Sequence, residues 1–304
     1  MKTTVSVAVP CYNQGGFLPE CLESLRAQTF EDWDAVVVDD ASPDGDLIAE
    51  VVAGIGDRRI RLIRHDNNRG PAAARNTGIR NGSGHLIVYV DADDKVVPEF
   101  LEVLVKPLLE DPEVDCAFGD TAYFGARSDW WPQRLPKPGE ILTFMPFAPG
   151  GSVLRRSVWD ALGGYDESTE VNGREDWEFF IRVFSQGRRA VHIPQKLYYY
   201  RAWSQSLHAS TKKREIDIRE AIYRKHRALY DHWGAGPGFL ASGYETVAGT
   251  ALVEGDRMNA VVLAARACVK DPCWRRLRFL FRCIAPQRLM SAVYRHRERK
   301  GECL

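Results

Sequence analysis

Three carboxylates, Asp91, Asp93 and Asp94, follow directly after the apolar run at 86–90. Carboxylates this close repel one another, which lowers the stability of the fold unless a cation neutralises them. Their hard oxygen atoms suit Mg²⁺ or Mn²⁺. The alternative is a solvated turn in which Asp94 caps the next helix. Because the carboxylates lie where a buried strand ends, the sequence favours a site for a divalent metal ion.

Other polar residues also follow apolar runs. Asp39 and Asp40 come after the second run, where a carboxylate could accept a hydrogen bond from a base N–H or a ribose hydroxyl. Alternatively, Asp40 or Ser42 could simply cap the next helix. Tyr12 follows the first run and could stack on a nucleobase or pack in a turn. Arg75 lies one turn into a predicted helix and could bind phosphate or pair with a neighbouring carboxylate.

An acidic pair, Glu175 and Asp176, opens a predicted helix in the second half of the chain. The helix dipole favours acidic residues in the first turn, which is a sufficient structural explanation. In the functional interpretation, Asp176 is a general base that removes the proton of an acceptor hydroxyl. The spacing alone leaves both interpretations open.

Alternating strands and helices in the first half predict an α/β fold. Near-continuous apolar strands imply a mostly parallel sheet with helices on both faces, in the manner of a Rossmann fold. Ligands of such sheets bind beyond the carboxyl ends of the strands, which is where the polar residues lie. The predicted strands are 5–10, 35–38, 60–63 and 86–90, and the predicted helices are 17–28, 47–52, 72–79 and 98–109.

The second half is less regular. Prolines make the section from about 122 to 151 loop-rich, and such a section could close over a substrate. A helix is predicted at 174–185 and a short aromatic strand at 197–200. From residue 211 onwards the pattern is helical, interrupted by a glycine-rich breaker at 234–238. The sequence thus predicts a domain at 1–210 and a helical C-terminal extension at 211–304.

The composition is that of a globular protein, with 45% hydrophobic residues, 27% charged residues and a formal net charge of zero in 304 residues. Nothing in this charge balance indicates a nucleic-acid partner. Charge is nevertheless concentrated locally, because residues 261–304 hold eleven Lys or Arg against three Asp or Glu. This basic, amphipathic end could contact an anionic membrane surface, or it could be a helical cap or a homodimer interface with solvated arginines.

The first apolar strand is too short for a signal peptide, and no apolar run reaches the length of a membrane span. The seven cysteines are scattered and lack CxxC spacing, as expected of free thiols in a reducing compartment. We therefore expect a cytoplasmic protein that could be peripheral at the inner face of the membrane.

The motifs occur in an order that is more specific than any one of them. The segments at 7–13, 24–30, 38–42, 74–78 and 91–94 together resemble glycosyltransferase family 2, whose members have the GT-A fold. The segments at 163–167, 175–176 and 200–201 continue the resemblance, which covers about residues 4–208. It implies an inverting, single-displacement glycosyltransferase with a nucleotide-sugar donor and a glycan, lipid-linked or small-molecule acceptor.

The resemblance also implies residue roles. Asp176 matches the base, Asp93 the principal ligand of Mn²⁺ or Mg²⁺, and Asp91 a carboxylate that meets the metal or the ribose. Arg201 and His208 could contact the donor phosphates, and with Glu175 they form a set implied to bind the phosphates or the acceptor. The residues implied to bind the donor nucleotide are Pro10, Tyr12, Asn13, Asp39, Asp40, Arg75, Asp91 and Ala92.

Asp40 matches a position that reads uracil in relatives, so a uridine diphosphate sugar is the expected donor, with thymidine and guanosine donors as alternatives. The Gln-x-x-Arg-Trp motif of processive synthases is missing from the sequence, which favours transfer of a single sugar. A sugar-phosphate nucleotidyltransferase would carry a basic glycine-rich loop after the first strand, yet the first basic residue there is Arg26. A non-catalytic nucleotide-binding module would not need Asp176.

Overall fold

The polypeptide forms two compact units. The structure, a computed structural model, describes residues 4–203 of the first unit and 211–285 of the second. Each unit is described by itself below.

The first half of the N-terminal unit is the predicted alternation of strands and helices. Four parallel strands lie in the order β3-β2-β1-β4, and β1 is buried along its whole length. The elements are β1 (Val5–Cys11), α1 (Leu18–Arg26), β2 (Trp33–Asp39), α2 (Gly45–Ile55), β3 (Ile60–Arg64), α3 (Pro71–Asn81) and β4 (Leu86–Tyr89).

Beyond β4 the sheet is mixed. It continues in the order β8-β6-β9-β5, with β7 beside β6; β6 and β9 are parallel, and the other pairs in this half are antiparallel. The elements are β5 (Lys95–Val96), α4 (Phe100–Glu110), β6 (Cys116–Gly125), β7 (Trp130–Trp131), a 3₁₀ turn (Glu140–Leu142), β8 (Val153–Arg155), α5 (Arg156–Leu162), α6 (Glu175–Ser185) and β9 (Ala190–Ala202).

Strand β9 corrects the sequence prediction, which gave it four residues where the structure has thirteen. The pairing of β6 with β9 shifts register on both sides of Asp120, opposite Pro194 and its neighbours. Proline cannot donate a ladder hydrogen bond, and an irregular register interrupts the alternation of side chains. These two features hide the long strand from a search for periodicity.

The C-terminal unit is helical, as predicted. It contains a 3₁₀ turn (Lys212–Arg214), α7 (Glu215–Lys225), α8 (Arg227–Trp233), α9 (Gly236–Val253), α10 (Arg257–Lys270) and α11 (Trp274–Ile284). The predicted breaker at 234–238 is too long: Gly234 ends α8 in a left-handed conformation, whereas α9 already starts at Gly236 with Pro237 in its first turn. Within the described residues, no helix combines the length and the apolar character that crossing a membrane requires.

Candidate active site

Three parallel strands end side by side at one edge of the sheet. Cys11 at the end of β1 is in register with Asp39 at the end of β2, and β4 flanks β1 on its other side. The loops after β1 and β2 are joined, because the Asn13 amide donates to Ser42 Oγ at 3.0 Å. Asn13 and Ala41 have φ values of 52° and 58°. Residues other than glycine adopt this left-handed conformation at a cost, so the backbone of both loops is strained.

The two carboxylates after β2 hold the backbone in place. Asp39 is buried and accepts from the Ser42 amide at 2.8 Å, while Arg64 Nε lies 3.1 Å from its other oxygen. Asp40 is also buried and accepts from the amides of Arg69 at 2.9 Å and Gly70 at 2.7 Å.

The Nδ1 atom of His65 also lies 2.6 Å from Asp40. Both oxygens of Asp40 are therefore engaged by the segment that leads into α3, a structural role that the sequence did not reveal. In contrast, Tyr12 is 48% exposed, as stacking on a base requires, and Pro10 is buried within β1.

The carboxylates after β4 have different surroundings. Asp94 is buried, and its two oxygens accept from Tyr198 OH and from the Arg201 amide, both at 2.7 Å. Burial, reinforced by the charges of Asp93 and Asp91, raises the pKa of Asp94 well above its usual value. Buried and hydrogen-bonded through both oxygens, this carboxylate supports the turn.

Asp93 accepts a hydrogen bond from Trp203 Nε1 at 2.8 Å. Burial and then the charge of Asp91 raise the pKa of Asp93 to about 6. Asp91 is partly exposed and pairs through one oxygen with Arg75 at 3.2 Å, while Ala92 between them is buried. The two flanking carboxylates therefore face the site and Ala92 faces the core.

A divalent cation fits this arrangement. The second oxygen of Asp91 and of Asp93 has no hydrogen bond or ion pair to another described residue. Among residues 4–203 and 211–285, no three His, Cys, Asp or Glu side chains form a ready-made metal cage. Mg²⁺ typically binds through one or two carboxylates plus substrate phosphates, so a pair of open carboxylates is a sufficient protein contribution.

Arg75 connects the end of β4 with the start of α6. Its buried guanidinium pairs with both Asp91 and Glu175 and lies 4.2 Å from the centre of the Tyr89 ring. Glu175 is buried as well and accepts from the Gly173 amide at 2.6 Å. The salt bridge that the sequence left open for Arg75 is therefore present, and it brings elements a hundred residues apart to one edge of the sheet.

Asp176 is next to this ion pair in the first turn of α6. Burial and the charge of Glu175 raise its pKa to about 6, and the positive charge of Arg75 opposes the shift. A carboxyl with this pKa is mostly ionised at neutral pH and is more basic than an ordinary aspartate. These are the properties of a general base for a hydroxyl group.

Arg201 is held by contacts within the protein. Its guanidinium lies between Phe17 and Phe124, at 4.6 and 4.3 Å from the ring centres, and pairs with Glu20. Its Nε donates to the Asp93 backbone carbonyl at 2.7 Å, so Arg201 stabilises the backbone of the acidic turn. His208 lies outside the described residues.

Two supporting residues were missed by sequence reasoning. Tyr198 in β9 donates to Asp94, and Trp203, just beyond the end of β9, donates to Asp93. Both donors lie more than a hundred positions further along the chain than the carboxylates. The run of tyrosines at 198–200 was a visible signal, because buried tyrosines generally find a partner for the hydroxyl. Trp203 gave no comparable signal.

Known structures share this architecture. The structure of Staphylococcus aureus TarS 1–349 in complex with UDP-GlcNAc superposes with a TM-score of 0.61 at 18% identity, over 88% of this chain and 82% of that chain. The mannosyltransferase PcManGT of Pyrobaculum calidifontis, in complex with GDP-Man and Mn²⁺, gives 0.60 at 19% identity, over 92% and 79%. The fold is thus that of the GT-A glycosyltransferases.

The sequence places the chain within that class. The family described as glycosyl transferase family 2 matches residues 6–165. The putative glycosyltransferase EpsE of Bacillus subtilis is 30% identical over 229 residues, which cover 74% of this chain and 82% of the relative. The glycosyltransferase GlyA of Streptococcus pneumoniae is 38% identical over 228 residues, 67% of this chain and 31% of the relative. The chain belongs to glycosyltransferase family 2 and is an enzyme of that kind.

Proposed function

We propose that this enzyme transfers a single sugar from a uridine diphosphate sugar to an acceptor hydroxyl, with inversion at the anomeric carbon. The product belongs to bacterial-type polysaccharide, glycolipid or glycoconjugate synthesis. The observation that carries the proposal is the contact of Arg75 with both Asp91 and Glu175, which links the open carboxylates to the base candidate Asp176. We assign catalysis to residues 1–210 and treat the chain from residue 211 onwards as an extension, which is helical where the structure describes it, at 211–285.

The donor lies across the ends of the parallel strands. The exposed ring of Tyr12 stacks on the base, next to Pro10 and Asn13. Uridine is favoured because Asp40 matches a position that reads uracil in relatives. The hydrogen bonds of Asp40 to His65 and Gly70 also shape the base pocket by fixing the 65–70 segment. The GDP-Man complex of PcManGT keeps guanosine in the donor panel.

Asp93 and Asp91 would hold Mn²⁺ or Mg²⁺. A cation there neutralises the negative charge that develops on the departing diphosphate. Trp203 orients Asp93, while Arg75 keeps one oxygen of Asp91 in place. The buried positive charge of Arg75 also offsets the repulsion among the carboxylates.

Asp176 takes the proton of the acceptor hydroxyl as the hydroxyl oxygen attacks the anomeric carbon. The new C–O bond forms while the bond from the sugar to the phosphate oxygen breaks, and its electron pair leaves with the nucleoside diphosphate. One displacement of this kind inverts the anomeric centre. The raised pKa of Asp176 makes it a stronger base than an exposed aspartate without leaving it protonated at neutral pH.

A panel of nucleotide sugars scored by thermal shift, with and without Mn²⁺, tests the donor and the metal together. A uridine sugar that stabilises the protein only with metal is the expected result. If no nucleotide sugar shifts the melting temperature with any metal, the proposed donor site is wrong.

The base is tested with the hit from that panel. Asp176→Asn should bind the donor normally and lose transfer by at least about a hundredfold. Asp46→Asn is the matched control, because that carboxylate is fully exposed and lies in the first turn of α2. Unchanged turnover in Asp176→Asn would reject Asp176 as the base.

A further inference from the structure

Helix α11 presents its largest apolar side chains to solvent. Trp274, Leu277, Phe281 and Ile284 are 70%, 47%, 63% and 57% exposed. Their spacing of three, four and three residues places them on one face of the helix, which we call the apolar stripe. The packed face carries the buried Cys283 instead.

Arginines flank the apolar stripe. Arg275, Arg278 and Arg282 repeat at three and four residues and line a cavity of about 490 Å³ together with Phe279 and polar residues of α9. The helix has no acidic residue. Glu245 of α9 pairs with Arg275 at 2.7 Å, whereas Arg278 has no carboxylate partner among the described residues. This row of arginines therefore keeps a net positive charge beside the apolar stripe.

We propose that α11 docks on a bilayer that contains anionic phospholipids. The apolar stripe enters the boundary between headgroups and acyl chains, and the arginines contact lipid phosphates. Helices that lie in the plane of a membrane combine apolar and basic faces in this way. The bulky Trp274 and Phe281 suit the interface, where aromatic side chains are enriched.

Charge argues against the two other occupants of this surface. In a homodimer through α11, the arginine rows of both copies would meet and repel. The chain's own residues 286–304 carry five Lys or Arg and two Glu, so they share the positive sign of the helix. A surface of anionic phosphates attracts the arginines, whereas a second copy of α11 and residues 286–304 would repel them.

The test is co-sedimentation of the full-length chain with vesicles of phosphatidylcholine alone or mixed with phosphatidylglycerol. We expect binding to the anionic vesicles that weakens with salt, and little binding to the neutral ones. Trp274→Ser/Phe281→Ser should abolish it, and Arg278→Gln should weaken it about fivefold. The matched controls are Met258→Ser, an equally exposed apolar residue on α10, and Arg227→Gln, an exposed arginine on α8.

Failure to bind anionic vesicles at low salt would overturn the proposal, as would equal loss in stripe and control variants. A dimer in light scattering that the stripe variants convert to monomers would assign the surface to a second copy. Should the double variant misfold by circular dichroism, Arg278→Gln alone decides, because its side chain is at the surface. Donor binding is measured separately, so failure here leaves the proposed transfer reaction untouched.

Discussion

Replacing Arg75 by methionine is expected to destabilise the N-terminal unit strongly. The side chains of Arg75 and Glu175 are 6% and 3% exposed, so the substitution leaves a buried carboxylate without its cation. Breaking a buried ion pair from one side typically costs about 3–5 kcal/mol. Methionine keeps most of the apolar contact with Tyr89, so the loss of stability comes chiefly from the missing positive charge.

Glu175→Gln in the same chain should restore much of this stability. The amide still fills the space and can accept from the Gly173 amide, and the buried charge at position 175 is removed together with that of Arg75. We expect the double variant to lie within about 2 kcal/mol of the parent. Arg26→Met is the surface control, since Arg26 and Glu23 are both about half exposed; it should cost less than about 1 kcal/mol.

Equilibrium urea unfolding measures these differences, provided that the dependence on urea concentration is unchanged among the variants. Because the chain has two compact units, the transition of the N-terminal unit is followed by hydrogen exchange of amides in α3 and α6. An Arg75→Met loss below 1 kcal/mol would refute the reasoning. A double variant no more stable than the single one would refute it equally.

Three further predictions concern individual carboxylates. At donor concentrations well below KM, where the rate reports the groups of the free enzyme, transfer should fall at least about tenfold per pH unit below pH 6 and level off above it, because Asp176 with its raised pKa of about 6 is protonated, and unable to accept a proton, at the lower pH. A rate that is flat from about pH 5 to 7 under these conditions would contradict this. Trp203→Phe should weaken Mn²⁺ activation about tenfold by removing the hydrogen bond to Asp93, with the donor KM at saturating metal as the control. Asp40→Asn should cost about 1–3 kcal/mol in urea unfolding, since the amide cannot satisfy His65 and two backbone donors together; unchanged stability would be inconsistent with its role in holding the loop.

The first half of the fold was predictable because β1, β2 and β4 are nearly continuous apolar runs. Strand β6 was not, since Asp120 and Thr121 are buried in its middle. Asp120 accepts from the Gln133 amide and faces His192 at 2.8 Å, and Thr121 bonds Gln133. Buried polar residues that are satisfied by distant partners look like loop residues in a sequence, because the pattern does not show the partners.

The candidate site shows the same division. The positions of Asp91 and Asp93 follow from a local rule, the end of a buried strand in a parallel sheet. The support from Trp203 depends on where β9 ends, and that in turn depends on an irregular register with β6. The local pattern therefore located the carboxylates, but it could not reveal that Asp94 is hydrogen-bonded through both oxygens while Asp91 and Asp93 each keep one open.

The position of Arg75 has a consequence for the order of events in the reaction. Its guanidinium pairs with Asp91 on the proposed donor side and with Glu175 beside the proposed base Asp176, so the same charge affects both. A cation bound at Asp91 and Asp93 would compete with Arg75 for Asp91 and leave more of its charge to Glu175 and Asp176. Positive charge lowers the pKa of a carboxyl, so donor and metal binding should bring Asp176 further into its ionised form. The proposed base would then be most fully ionised when donor and metal are bound.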